Sequence, residues 1–266
     1  MRTRTGKFLL GILVALTGFG LVAPVLVVVP LSFTDKRSFA MPPSGYSARW
    51  YENFWTDDRW ISALVNSLLI ATASAAVATL VGVAAAVALQ RFSARSRGVI
   101  NAIILLPILI PSVIIAAGIY IVYLNWNLTG NFIGFVATHA VGALPLVVIP
   151  VAAALATFDR QQLSAAASLG APPLRAFLSV ALPAIAPGVM AGALFAFVHS
   201  WDELITALFI SKPLLTTLPV RLYNAVANDT DPTLAAVSTM ILVAVALVVL
   251  IILHSNKKRE KRSHAA

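Results

Sequence analysis

Charged residues are scarce in this 266-residue sequence, where they make up 11% of the chain against 59% for hydrophobic residues. An ordinary soluble domain has about 25% charged and about 45–50% apolar residues. A soluble fold of this length could not bury so much apolar surface, whereas a lipid bilayer accepts it. The composition therefore predicts an integral membrane protein.

The residues and motifs of several kinds of site are absent as well. Without cysteine, the chain has no disulfide framework, thiol nucleophile or Cys-based metal site. Its four histidines include no helical pair at metal-ligand spacing, which predicts no metal site. We find no phosphate-binding loop, nucleophile elbow or H-E-x-x-H motif, so we expect no enzymatic activity and no bound cofactor.

The basic residues behind the net charge of +9 would suggest a nucleic-acid partner if they shared one face of a polar domain. They occur instead in short clusters between long apolar runs, so we expect membrane lipid as a partner and no nucleic acid. Thirteen basic residues fall on one set of connecting segments, which includes both termini, and six fall on the other set. Because cytoplasmic segments are enriched in Lys and Arg, both termini are predicted to be cytoplasmic.

Six apolar runs have the length of about 20 residues that a transmembrane helix needs. The first is too long for the apolar part of a signal peptide, so we interpret it as an uncleaved anchor. In the third, Pro107 and Pro111 each remove a helical hydrogen bond and are expected to kink the helix. We therefore predict an all-α, polytopic membrane protein with a single domain over residues 1–266. The predicted spans are 8–31, 61–89, 99–124, 132–157, 187–210 and 233–254.

The longest polar connection, residues 32–60, carries a cluster of aromatic side chains. Tryptophan and tyrosine are enriched at the headgroup level of a bilayer, which favours an aromatic belt. A docking surface for an external partner is the alternative. The cluster consists of Trp50, Tyr51, Phe54, Trp55 and Trp60.

The connection between the fourth and fifth spans, residues 158–183, is predicted to form two short helices joined by a sharp corner. Asp159 and Gln162 have the spacing of a helix-capping pair. Gly170 follows an alanine-rich stretch at the point where a left-handed residue would end the first helix. The pair Pro172-Pro173 prevents continuation of that helix and favours the start of a second one.

The second helix of this connection has an apolar stripe on one face. Such an amphipathic elbow needs a partner surface, or else it lies in the membrane interface as an ordinary amphipathic segment. The stripe consists of Leu174, Phe177, Leu178, Ala181 and Leu182.

From Ser164 the chain reads S-A-A, then three residues, Gly170, nine residues, and V-x-L-P from Val180. This resembles the EAA loop of binding-protein-dependent ABC importer permeases, E-A-A-x3-G-x9-I-x-L-P, with Ser164 in place of the acidic residue and Val180 in place of isoleucine. The resemblance implies a coupling helix that sits in a groove of a cytoplasmic ATPase and transmits its closure. The implied coupling residues are Ser164, Ala165, Ala166, Gly170, Leu174, Val180, Leu182 and Pro183.

Further short motifs run along nearly the whole chain, among them Arg49-Trp50-Tyr51, Gln90-Arg91-Phe92 and Asp231-Pro232-Thr233. They resemble the second permease subunit of spermidine/putrescine-type importers. The resemblance implies a multi-pass permease of the bacterial inner membrane that imports polyamines. The implied partners are a second homologous permease, an ATPase dimer that uses ATP and Mg, and an extracytoplasmic solute-binding protein.

Two alternatives to polyamine import stay open at this point. One is the same importer class with another small cationic or polar solute. The other is a self-sufficient secondary transporter, which would need its own coupling-ion site and often shows repeated halves. The sequence shows neither of these two features.

Asp202 and Glu203 fall inside the fifth predicted span, where ionisable groups are costly and usually face a cavity or a partner. Carboxylates along a pathway would suit a polyamine cation, and together with Trp201 they are the substrate-path candidates. Alternatively they pair with a basic residue of the partner permease or order a helix end. Lone histidines such as His139 and His199 are interpreted as interhelical hydrogen-bonding groups.

Overall fold

A computed structural model describes residues 4–263 of the chain. Residues 1–3, which include Arg2 of the charge count, and residues 264–266 lie outside the described part. The described part contains twelve α-helices, two π-helical segments and no β-strand. The first six helices are α1 (Arg4–Leu31), α2 (Arg49–Thr56), α3 (Asp58–Leu89), α4 (Ala94–Leu109), α5 (Ser112–Trp126) and α6 (Phe132–Thr157). The others are α7 (Gln161–Ser168), α8 (Pro173–Ala176), α9 (Leu182–Asp202), α10 (Ile205–Ile210), α11 (Leu218–Asn224) and α12 (Thr233–Ser263), with π-helical segments at Phe177–Ala181 and Ala225–Asp229.

Among the described residues, five helices are long and apolar enough to cross a membrane, and a bent pair of helices makes six if it counts as one span. This confirms the all-α, polytopic class. The fourth span has the predicted bounds, because α6 begins at Phe132 and ends at Thr157. At its start the Asn131 side chain accepts a hydrogen bond from the Ile133 amide at 2.8 Å and so caps the helix.

The third predicted span, 99–124, bends at Pro111 as predicted, but it is broken into two helices instead of kinked, and Pro107 causes no break. α4 and α5 meet at an angle of 96°. Pro107 lies inside α4 without ending it, whereas Pro111 directly precedes α5. Ile110 is extended, with φ −87° and ψ 131°, which is the conformation that a following proline favours. The break therefore comes from the restriction that Pro111 places on Ile110.

The fifth predicted span, 187–210, is wrong at both ends. The helix starts at Pro173 and ends at Asp202, because the π-helical segment Phe177–Ala181 joins α8 directly to α9. The sequence pattern predicts a helix boundary at Pro183, but the π-helical segment leads directly into α9 and Pro183 lies in the first turn of α9. Residues 205–210 form the separate helix α10.

Contacts between Cα atoms divide the chain into two compact units, Met1–Ile61 with Leu222–Ala266, and Ser62–Arg221. In the first unit, α2 packs against α12 and α12 against α1. The Trp50 indole donates a hydrogen bond to the Thr34 carbonyl at 2.6 Å, and the Asn53 amide donates to the Thr233 hydroxyl at 2.8 Å. These two bonds tie α2 to the preceding connection and to the first turn of α12.

The expected aromatic belt is wrong for three of its five members. Trp50, Phe54 and Trp60 are buried, each exposing 4% or less of its surface. Trp55, by contrast, is 65% exposed. α2 is amphipathic, and its apolar face is covered by the first unit instead of lying at the headgroups.

The second unit is organised around the antiparallel pair α6 and α9, which has the most extensive contact of any two helices in the described chain. Its buried core consists mainly of small and β-branched side chains such as Ala143, Val147 and Ala196. Lipid tails are as apolar as these side chains, so the helices associate through close van der Waals contact and not through a hydrophobic driving force.

Gly188 shows how closely α6 and α9 approach. A Cβ atom at this position would lie 2.7 Å from the Pro150 carbonyl oxygen and 2.7 Å from the Ala154 Cβ. Because one of these neighbours is backbone, no side-chain rotation relieves the clash.

We predict that Gly188→Ala destabilises the protein by about 1–3 kcal/mol, as overpacking of a close-packed core does. Thermal unfolding of the detergent-solubilised protein measures the effect. Gly118→Ala is the matched control, since Gly118 is also helical and a Cβ there meets nothing within 4 Å. An equal midpoint for both variants would contradict the close approach of α6 and α9.

Candidate functional site

The segment 158–183, called the elbow from here on, joins α6 to α9. α7 begins at Gln161, and the Asp159 carboxylate accepts a hydrogen bond from the Gln161 amide at 2.9 Å. The predicted capping pair is therefore wrong in its second member, because Gln162 makes no side-chain contribution to the cap and its amide bonds the Asp159 carbonyl.

The corner of the elbow is a Schellman motif. The Ala171 amide donates to the Ala166 carbonyl at 3.1 Å, and the Gly170 amide donates to the Ala167 carbonyl at 2.9 Å. Gly170 has φ +85°, a conformation that L-residues with a Cβ rarely adopt. The prediction of a left-handed corner at Gly170 is thus confirmed.

Beyond the corner, the chain enters a continuous helix instead of a second short one. Pro172 is extended, and Pro173 opens α8. The π-helical segment and α9 follow without a break, so that one helix of 30 residues leads from the corner to Asp202. At 1.5 Å per residue, this helix is about 45 Å long.

The elbow presents apolar side chains to its surroundings. Leu169 is 89% exposed, Leu174 is 70% exposed and Leu178 is 51% exposed. Leu174 and Leu178 line a shallow pocket of about 360 Å³ together with Pro172 and Arg175. A cluster of exposed leucines of this kind is typical of a protein contact surface.

The elbow is tied to the end of α3 by two side chains that the sequence pattern does not single out. The Arg160 guanidinium donates a hydrogen bond to the Gln90 side-chain oxygen. Leu163 lies half-buried in a small cavity between the elbow and α3. Arg160 and Gln90 are 70 positions apart in the sequence and meet only in the folded chain, so no local motif predicts this anchor.

The residues of the EAA-like pattern occupy different environments. Ser164, Ala165, Gly170, Leu174 and Pro183 are exposed. Ala166, Val180 and Leu182 are half-buried. The Ser164 carbonyl accepts from the Ser168 hydroxyl at 3.1 Å. The Ser164 hydroxyl forms no hydrogen bond with the residues 4–263 that the structure describes.

The substrate-path candidates lie at the far end of α9, not inside the span. Asp202 is the last residue of α9 and is exposed. The half-buried Glu203 is extended, and its carboxylate accepts a hydrogen bond from the Thr206 amide at 2.9 Å. Glu203 thereby caps α10. Trp201 stacks on Phe197 with ring centroids 6.1 Å apart.

Neither Asp202 nor Glu203 forms an ion pair within the described part of the chain. Both carboxylates thus remain available to a cation or to another subunit, while Glu203 also orders a helix start. Their role in a substrate path stays a prediction.

His139 connects the two central helices of the second unit. It is 1% exposed, and its Nδ1 lies 2.8 Å from the Ser200 hydroxyl. His199 packs against Gly142, whose added Cβ would lie 2.8 Å from the His199 Nε2. The interpretation of His139 as an interhelical hydrogen-bonding group is confirmed. Within the described residues, no group of three or more histidine and acidic side chains could hold a metal ion.

The elbow and the two long helices that it joins form a helical hairpin within a chain that has several apolar helices. Over residues 78–261 the chain matches the family described as the binding-protein-dependent transport system inner membrane component. The chain belongs to this family, and the resemblance predicted from the EAA-like pattern is confirmed.

Individual relatives agree with this assignment. The chain is 33% identical to the putrescine transport system permease protein PotI of Escherichia coli K12, over 94% of this chain and 92% of that protein. It is 29% identical to the spermidine/putrescine transport system permease protein PotC of Haemophilus influenzae, over 86% of this chain and 90% of that protein.

The fold has a counterpart among solved structures. A chain of a bacterial ABC transporter involved in the import of the acidic polysaccharide alginate superposes with a TM-score of 0.78. The alignment covers 96% of this chain and 98% of that chain, at 15% sequence identity. At this identity the likeness concerns the fold alone.

We predict that Gly170→Ala lowers the stability of the protein by about 1–2 kcal/mol, because the left-handed corner strains any residue with a Cβ. Gly98→Ala is the matched control. A Cβ meets nothing within 4 Å at either glycine, but only Gly170 has a positive φ. Chemical denaturation in detergent compares the two variants. If Gly98→Ala lowered the stability as much as Gly170→Ala does, the left-handed backbone of Gly170 could not be the cause.

Proposed function

We propose that this chain is a permease subunit of an ABC importer for polyamines, in which separate ATPase subunits hydrolyse ATP with Mg. Family membership supports a membrane component of a binding-protein-dependent system. The names of PotI and PotC support putrescine and spermidine as solutes. In this assignment the chain forms half of the translocation path together with a second, homologous permease, and it binds no cofactor of its own.

The distribution of basic residues supports an orientation with the elbow and both termini in the cytoplasm. The elbow then faces the ATPase dimer. The connections at the other ends of the spans face the extracytoplasmic solute-binding protein.

The elbow carries the mechanical part of the proposal. Its Schellman corner, its anchor to Gln90 and its continuous helix of 30 residues make it a stiff lever. When the ATPase dimer closes, a groove that holds Leu169 and Leu174 displaces the elbow. Because α8, the π-helical segment and α9 are one helix, the displacement reaches Glu203 about 45 Å away as rigid-body motion.

The absent acidic residue at position 164 changes how the ATPase is recognised. Ser164 has no charge to offer an arginine in a partner groove. The exposed leucines must then supply most of the binding, with Arg175 as the charged group beside them. We therefore assign the anchor of the contact to Leu169, the most exposed leucine of the elbow.

Leu169→Asp should release the ATPase subunits, because a carboxylate would have to be desolvated in an apolar groove. We expect at least about a tenfold loss of ATPase subunits that copurify with the permease, as for a central interface residue, and a matching loss of solute uptake. The variant permease should still insert into the membrane.

Leu214→Asp provides the matched control for the ATPase contact. Leu214 is 96% exposed and lies outside the elbow, between α10 and α11. The same change of chemistry there should leave the copurified ATPase unchanged. Equal retention of ATPase by Leu169→Asp and the unmodified chain would refute the assigned role of the elbow.

The substrate path is proposed to include the carboxylates of Asp202 and Glu203, next to Trp201. Both lie where α9 ends, and the negative charge of each carboxylate attracts a cation. The capping bond from the Thr206 amide occupies only one Glu203 oxygen, Oε1. The other carboxylate oxygen remains free to accept from an ammonium group.

Two substitutions at Glu203 separate its two roles. Glu203→Gln keeps an oxygen for the Thr206 amide but removes the charge, whereas Glu203→Ala removes both. If Glu203 contacts the polyamine, Glu203→Gln raises the KM for uptake by about tenfold, the loss expected for one charge-assisted hydrogen bond. Concentration-dependent uptake measures this. If Glu203→Gln has a normal KM while Glu203→Ala loses activity, Glu203 serves only to cap α10 and does not contact the polyamine.

A further inference from the structure

An apolar groove of about 710 Å³ lies in the second unit, between α3 and the helix that starts at the elbow. α3 contributes Leu80, Val83 and Val87, and the facing wall is formed by Phe177 and Leu182. Helical spacing relates Leu80, Val83 and Val87 on one wall, and it relates Leu178, Leu182 and Val189 on the other. The groove therefore runs lengthwise between two spans. Leu80 is 74% exposed, which shows that the groove is open along its side.

One end of the groove is positively charged. Arg91 is the charged residue of the lining, and no acidic residue lines the groove. Two further arginines near this end are held by the protein. Arg97 donates to the Leu89 and Phe92 carbonyls at 3.0 Å and 3.3 Å, and Arg160 donates to Gln90.

The Arg91 guanidinium itself has no hydrogen bond or ion pair to any described residue between 4 and 263. It is exposed and lies two residues beyond the end of α3 at Leu89. The groove therefore combines a long apolar trough with an unpartnered cation at its mouth.

We propose that this groove is a binding site for an anionic phospholipid of the leaflet on the elbow side of the membrane. One acyl chain lies between Leu80 and Leu182, and the headgroup phosphate accepts hydrogen bonds from Arg91. Basic side chains at the ends of grooves between spans bind acidic lipid headgroups in this way. A free phosphate would leave the apolar trough unused, and an apolar helix of another subunit would leave Arg91 without an anion.

The site would link lipid composition to the elbow. Phe177 lines the groove and belongs to the π-helical segment, and Leu178, exposed on the elbow, lines it as well. An acyl chain packed against these two side chains stabilises the position of the segment through which the elbow passes into α9. Lipid binding at this groove does not depend on which solute the chain imports.

Native mass spectrometry of the assembled transporter tests the site directly. The probes are dioleoyl phosphatidylglycerol and dioleoyl phosphatidylcholine, which share acyl chains and differ in headgroup charge. We expect preferential retention of phosphatidylglycerol, and a decrease of about fivefold in Arg91→Gln, the contribution of one basic side chain to binding an anionic lipid. Arg91→Lys should retain most of the binding.

Two further variants complete the test. Arg95→Gln removes an exposed arginine at the same end of α3 that does not line the groove, and it should have no effect. Ala84→Trp fills the trough and should lower the retention of both lipids. Equal retention of phosphatidylglycerol by Arg91→Gln and the unmodified chain would overturn the site. So would an assembled transporter that retains neither lipid, since a partner subunit would then cover the groove.

Discussion

The close approach of α6 and α9 is the contact on which the rest of the second unit depends. Successive contacts pair Ala154 with Gly188, Val147 with Gly192 and His139 with Ser200. The position number rises on one helix as it falls on the other, so the two helices form an antiparallel hairpin. One end of this hairpin is the elbow, and the other end carries Glu203. The proposed coupling from the elbow to the carboxylates therefore runs through packed helices.

This hairpin is held without a large apolar side chain at its closest points. Small residues let the two backbones approach closely. One buried hydrogen bond, between His139 and Ser200, also fixes the relative position of the two helices. Packing of this kind resists sliding, because each helix fits the other at one register only. The same stiffness suits the proposed contact with an ATPase subunit, whereas a flexible loop would absorb the motion.

The sequence predicted those helix ends and corners that depend on neighbouring residues alone. Gly170 marked the corner because a left-handed residue is needed there, and α6 has its predicted bounds because Asn131 caps it. Non-local packing decided the remainder. The π-helical segment joins α8 to α9 without a break, so the helix includes Pro183. Trp50 is buried because α2 packs against α12, and the residue spacing of α2 alone does not reveal this partner. The Arg160–Gln90 anchor and the Glu203 cap join groups whose meeting depends on the fold.

A thiol at position 169 tests most directly the proposed covering of Leu169 by an ATPase subunit. The chain has no native cysteine, so Leu169→Cys introduces a single reactive site. Its rate of reaction with a membrane-impermeant maleimide is measured in inside-out vesicles, with the permease alone and with the ATPase subunits bound. We predict rapid labelling of the free permease and strong protection in the complex. Equal rates in the two preparations would contradict it.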